Sequence, residues 1–140
     1  MTRLVVDASV AVKWFLPEQH DSIARRLLAQ DYERVAPELV VTEVSHVFTK
    51  RHRRDEMTAE TARVSIQTLA GLVFIVETAS LALEALDLAI THQRSAYDAL
   101  YAALALRERC QLVTADRRLY EALRAPFPTT MLWIEDVPSA

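Results

Sequence analysis

Four carboxylates, Asp7, Glu43, Asp98 and Asp116, stand at points where the local pattern of the chain changes. Asp7 follows Leu4-Val5-Val6, a run rich in β-branched residues that reads as a short strand buried on both faces. Asp116 follows Leu112-Val113-Thr114-Ala115 in the same way. A parallel strand that ends in an acid delivers charge to the carboxyl edge of the sheet, where open α/β sheets bind ligands. Asp98 opens the helix that leads into the strand before Asp116. If the first and fourth strands are neighbours, these three acids share one crevice. Glu43 lies beside the apolar stripe Val40, Val44, Val47 and Phe48, at the core boundary of its helix.

Carboxylates gathered so closely raise one another's pKa unless a cation neutralises them. An all-oxygen set without His or Cys selects a hard ion, Mg²⁺ or Mn²⁺. A metal so held can activate water and stabilise the developing charge of a phosphodiester, so no nucleophilic Ser or Cys is needed. Each acid also has a plain structural role. Asp7 suits a turn or cap, and Glu43 suits a solvated helix face. Ser95-Ala96-Tyr97-Asp98 fits a capping pattern with Ser95 at N-cap, and Asp116 can cap the helix from Arg117 to Leu123. Such caps are each worth about 1 kcal/mol. Capping and metal binding are compatible, because helix N-termini favour negative charge.

Glu43-x-x-His46 is half of a di-iron bundle motif, which requires two copies on four helices. It occurs once here, within an alternating strand–helix pattern. His20, His52 and His92 have no partner pattern and read as surface residues.

The elements that must position the acids follow from periodicity. An apolar helix runs from Val10 to Leu16 with Ser9 as N-cap, and a second covers Asp21 to Gln30. Arg34-Val35-Ala36 is a brief strand, and Pro37 suits the first turn of the helix that carries Glu43. A helix from Glu60 to Leu69 follows an approximate capping box at Asp55 to Thr58, and Val73-Phe74-Ile75-Val76 is a strand. Ser80 to His92 reads as a helix with Leu83, Leu86 and Ile90 inward. Ser95 to Arg109 is the next, and its uncharged stretch Ala99 to Leu106 marks a buried helix. Leu112-Val113 and Met131 to Ile134 supply the last two strands. Alternating strands and helices predict an α/β fold, a three-layer α/β/α sandwich around a five-stranded parallel sheet. Residues 1–140 suit a single domain, with no repeat or linker.

Composition narrows the setting. Hydrophobic residues make up 51% and charged residues 25%, the balance of a soluble globular protein. The single cysteine, Cys110, excludes a disulfide framework and points to a reducing compartment. Asp7 and Lys13 interrupt any signal-peptide core, and the uncharged run Val64 to Val76 is too short and polar to span a bilayer. A cytoplasmic location without membrane contact is expected. The net charge of −3 does not favour a polyanion partner, but basic residues cluster at Lys50-Arg51-His52-Arg53-Arg54, at Arg107 and Arg109, and at Arg117-Arg118.

Taken together, these residues resemble the PIN domain, and within it the VapC-type toxin ribonucleases of toxin–antitoxin pairs. The resemblance covers essentially the whole chain. It rests on Val5-Val6-Asp7-Ala8-Ser9-Val10-Ala11 with Trp14 and Pro17-Glu18, and on Pro37-Glu38-Leu39 leading to Glu43-Val44. It continues through Ser95-Ala96-Tyr97-Asp98-Ala99-Leu100-Tyr101 and Leu106, and ends in Leu112-Val113-Thr114-Ala115-Asp116. The resemblance implies a sheet in the order 3-2-1-4-5, a magnesium-dependent endoribonuclease, a homodimer and a cognate VapB-type antitoxin. It implies that Asp7, Glu43, Asp98 and Asp116 line the metal site, with Ser9 and Thr114 beside it. Asp7 and Asp98 are then the direct ligands, while Glu43 and Asp116 act through waters or complete a second ion's shell. His46 departs from the family pattern, which commonly has a small amide there.

Two other functions remain open to the sequence. One keeps the fold as a binding or regulatory module without metal-dependent hydrolysis. The other, a phosphatase or receiver-like domain, lacks the second Asp or the strand-end Lys that it needs.

Overall fold

The computed structural model describes residues 1–139. Strands β1 (Thr2–Val6), β2 (Tyr32–Pro37), β3 (Phe74–Val76), β4 (Gln111–Thr114) and β5 (Met131–Trp133) form one sheet in the order β3-β2-β1-β4-β5, with every pairing parallel. The helices between them are α1 (Ala8–Ala11), α2 (Asp21–Arg26), α3 (Leu39–Arg53), α4 (Ala59–Leu72), α5 (Ala82–His92), α6 (Ala96–Glu108) and α7 (Arg117–Leu123).

β1 is the centre of this arrangement. Leu4, Val5 and Val6 are at most 2% exposed although successive side chains point to opposite faces, so helices cover the sheet on both sides. The predicted sandwich and strand order are therefore correct. β1 lies directly beside β4, pairing Val6 with Val113, and the Asp7 N–H extends the ladder to the Val113 carbonyl at 3.1 Å. The two strand-end acids are neighbours for that reason.

The uncharged stretch of α6 forms the helical core, buried from Ala99 to Ala105. Trp14 and Glu18 tie the N-terminal segment to the helices. Trp14 Nε1 donates to the Ala24 carbonyl at 2.9 Å. Glu18 accepts from Lys13 Nζ at 3.3 Å and is also paired with Arg51 near the end of α3.

Four expectations are corrected. Ser9 is not an N-cap: α1 begins at Ala8 after Asp7, and the Ser9 hydroxyl is directed to Asp7 instead. Pro37 ends β2 and does not open α3. Pairing to β1 has stopped at Val35 and Glu38 N–H bonds Val76, so the missing proline N–H leaves no ladder bond unmade. The cap of α4 is Thr58, whose side chain accepts from Thr61 N–H, while Asp55 has a left-handed φ of 58° in the preceding turn. Finally, Leu83, Leu86 and Ile90 are 76%, 51% and 69% exposed. α5 instead buries Ala85, next to buried Leu81, because the alanine-rich α6 lets a small-residue face approach closely.

Candidate active site

At the carboxyl edge of β1 and β4, a cleft of about 610 Å³ is lined by Asp7, Glu43, Asp98 and Asp116, with Ser9, His46 and Tyr97 among its other walls. All four sequence-predicted acids thus reach one cavity. β1 and β4 bring Asp7 and Asp116 as adjacent strand ends, α3 brings Glu43, and the first turn of α6 brings Asp98.

Asp7 is the most enclosed of the four, 7% exposed. Its Oδ2 accepts from Ser9 Oγ at 2.6 Å and from Thr114 Oγ1 at 2.9 Å. The two hydroxyls are themselves held: Ser9 Oγ accepts from Ala115 N–H at 2.9 Å, and Thr114 Oγ1 from Asp116 N–H at 3.0 Å. Thr114 is wholly buried. The expected places of Ser9 and Thr114 beside the acids are therefore seen as direct contacts. Burial raises the Asp7 pKa from its ordinary 3.8 to about 6. The two hydroxyl bonds oppose that rise, and the charges of Glu43 and Asp116 add to it.

Asp116 caps α7 through Oδ1, which accepts from Arg118 and Leu119 N–H at 3.0 and 3.3 Å. Ser95 caps α6 by accepting from Asp98 N–H at 3.1 Å. Both capping readings hold, and both acids line the cleft as well. The Asp98 carboxylate has a partner that the sequence did not suggest: Arg94 Nη2 is 3.2 Å from its Oδ2.

Glu43 sits at the boundary of α3 as its periodicity predicted. Burial raises its pKa. A hydrogen bond from Tyr101 opposes the rise, and the Asp98 and Asp116 charges reinforce it. The Tyr101 hydroxyl donates to Glu43 Oε1 at 2.5 Å. Tyr101 is 1% exposed, and burial beside Asp7 and Glu43 holds its pKa well above the ordinary tyrosine range, so it remains a protonated donor. A tyrosine within an otherwise apolar buried helix needs a partner for its hydroxyl, and that was the available sequence signal for this residue.

A common pattern emerges. Each carboxylate spends one oxygen on the protein: Asp7 Oδ2, Glu43 Oε1, Asp98 Oδ2 and Asp116 Oδ1. Among the described residues no hydrogen bond is donated to the other oxygen of any of them. These second oxygens are the donors that a hard cation requires. Among the described residues, however, no three acidic, His or Cys side chains are drawn together into a ready-made ligand cage. An open acidic cleft suits Mg²⁺, which keeps several of its waters and takes few protein ligands.

The comparisons agree with this geometry. The PIN domain profile matches residues 4–124. VapC ribonuclease Mb0985 of Mycobacterium bovis is 36% identical over 129 residues, which cover 92% of this chain and 98% of that protein. The crystal structure of PAE2754 from Pyrobaculum aerophilum superposes with a TM-score of 0.74 at 20% identity, over 96% of this chain and 85% of that one. VapBC2 from Rickettsia felis, bound to a DNA fragment from its promoter, superposes with a TM-score of 0.69 at 14% identity, over 94% and 98% of the two chains. A sheet in the order 3-2-1-4-5, strand-end acids at the junction of β1 and β4, and a profile match over most of its length place the chain in the PIN-domain family.

Proposed function

We propose that this protein is a VapC-type toxin, an endoribonuclease that hydrolyses RNA phosphodiester bonds with Mg²⁺ or Mn²⁺. The observation that carries the reading is the cleft in which four carboxylates each keep one oxygen free of protein partners. The relatives named as VapC ribonucleases support the substrate class.

Asp7 and Asp98 would hold the ion directly, with Glu43 and Asp116 ligating through waters or serving a second ion. A bound divalent cation would supply the positive charge that activates water and stabilises the phosphodiester's transition state. The chain's own residues do the rest. Ser9 and Thr114 fix the Asp7 carboxylate in one orientation, so little reorganisation is left for the reaction. Tyr101 fixes Glu43, the carboxylate that would accept a proton from the attacking water.

Two partners follow from the same reading. One is a cognate VapB-type antitoxin, supported by the toxin–antitoxin complexes among the structural neighbours. The other is a second copy of this chain, covering the exposed stripe Leu83, Leu86 and Ile90 of α5. The substrate sets a cytoplasmic location, and no described helix is long and apolar enough to cross a membrane.

The test is cleavage of a mixed RNA pool with Mg²⁺, with Mn²⁺ and with EDTA, comparing the wild type with Asp7→Asn. Discrete products that vanish with EDTA and with the variant are expected. Equal cleavage by both proteins overturns the reading. One alternative is a PIN-fold binding module without hydrolysis. That alternative predicts no thermal stabilisation of the protein by Mg²⁺.

A further inference from the structure

The cleft is acidic, yet one of its carboxylates already has a cation. Arg94 Nη2 lies 3.2 Å from Asp98 Oδ2, and the two side chains are 26% and 28% exposed. Asp7 is held by hydroxyls, Glu43 by a phenol and Asp116 by backbone N–H groups, so among the described residues Asp98 is the one of the four paired with a charge. The backbone sets this juxtaposition. Gln93 ends α5 in the left-handed conformation with φ 54°, Arg94 N–H bonds the Ala89 carbonyl at 3.1 Å, and Ser95 caps α6 immediately afterwards. This turn sets Arg94 one turn before Asp98, where its guanidinium meets that carboxylate.

The contact itself is a weak one. It is a single N–O approach and not the two-pronged grip that a guanidinium can give a carboxylate. Arg94 Nε is buried and has no hydrogen-bond partner among the described residues. A buried donor left unmade is costly, so the protein does not hold this guanidinium in its best position. A partly exposed one-point pair is readily broken.

We propose that Arg94 is a positioning residue acting through Asp98: it occupies this carboxylate in the metal-free cleft and yields it when a divalent cation enters, and so sets how readily the cleft loads. The inference rests on the metal-dependent reading above and deepens it. A cation at Asp98 must either share the carboxylate with the guanidinium, which repels it, or displace the guanidinium. Both routes make the Arg94 charge oppose loading.

Manganese titration of the metal-free full chain by calorimetry tests this, using wild type, Arg94→Gln, Arg94→Lys, Asp98→Asn and the Arg94→Gln/Asp98→Asn pair. Arg94→Gln should bind Mn²⁺ roughly tenfold tighter than wild type. Arg94→Lys should stay near wild type, because the positive charge remains. In the Asp98→Asn background, the gain from Arg94→Gln should shrink to a small fraction of the tenfold, since the carboxylate through which Arg94 acts is gone and only its direct repulsion remains. Unchanged or weaker binding by Arg94→Gln, with wild type binding normally, overturns the latch and leaves the metal reading intact. No binding by wild type or by Arg94→Gln overturns both. If Arg94→Gln does not fold, Arg94→Leu gives the same comparison with an apolar stem retained.

Discussion

Asp7 and Asp116 stand at the sheet edge, where hydroxyls of α1 and β4 hold the Asp7 carboxylate and the backbone of α7 holds that of Asp116, whereas Glu43 and Asp98 stand on helices and their carboxylates are each held by one side chain. In the first half, two hydroxyls bond one Asp7 oxygen, and each accepts from a backbone N–H just past the end of β4, Ser9 from Ala115 and Thr114 from Asp116. In the second half, Tyr101 and Arg94 are single supports. The sheet-edge half is built by the same pairing that builds the fold, so its geometry is fixed before any ligand arrives. The helical half can adjust to what enters the cleft.

The largest effect should come from the fixed half. Asp7→Asn keeps the shape and an oxygen able to accept from Ser9 and Thr114, but removes the charge. Activity on RNA should fall by a factor on the order of 10³, measured as initial cleavage rates. If Asp98→Asn cost more than Asp7→Asn, the ranking of the two halves would be reversed.

The same residue makes a pH prediction with a defined sign. The Asp7 pKa is higher in the folded protein, about 6, than the ordinary 3.8, so the folded state holds this proton more tightly. Its stabilising contribution is then full below pH 3.8 and is lost as pH rises through about 6. The ionised form should cost the metal-free protein about 3 kcal/mol at pH 7.5. In urea melts without metal, Asp7→Asn should therefore be more stable than wild type at pH 7.5 and lose that advantage near pH 4. An equal difference at both pH values would show that Asp7 is not strained by its burial.

Why one half was legible in the sequence and the other only in part follows from the same contrast. A strand of three buried residues followed by an acid states its position directly, and it does so twice, at Asp7 and at Asp116. The Ser95 and Asp116 caps were legible for the same local reason. The orientation of α5 was not. Leu83, Leu86 and Ile90 have helical spacing that fits an inward face as well as an outward one, and the close packing against α6 that chose Ala85 is a tertiary fact. Ser9 was misread because its local pattern fits a cap, while its hydroxyl instead donates to Asp7 and accepts from Ala115 N–H, which comes from the far end of the chain. Arg94 and Tyr101 were missed as supports because each acts on an acid whose place depends on the assembled cleft.

Hydroxyl removals sharpen the comparison further. Thr114→Val keeps the volume of a wholly buried side chain but takes a donor from Asp7 and an acceptor from Asp116 N–H. It should cost about 2–4 kcal/mol of stability, read from the midpoint of denaturant unfolding at constant slope. It should also push the Asp7 pKa higher, since that hydrogen bond now holds it down.

Tyr101→Phe is the matching change in the helical half, and it should be smaller. The ring stays buried in α6, and only the hydroxyl bond to a half-buried glutamate is lost. Water in the cleft can take the place of the phenol at Glu43, so the expected cost is about 1 kcal/mol. The effect on chemistry differs in kind. The Tyr101 bond lowers the Glu43 pKa against burial and the charges of Asp98 and Asp116, so its removal raises that pKa further. The acid limb of the pH–rate profile should then move to higher pH, with near wild-type rates recovered as pH increases. A loss of activity that is the same at every pH would mean that Tyr101 only fills space. A stability cost equal to that of Thr114→Val would erase the distinction between a half of the cleft fixed by the sheet and a half that adjusts.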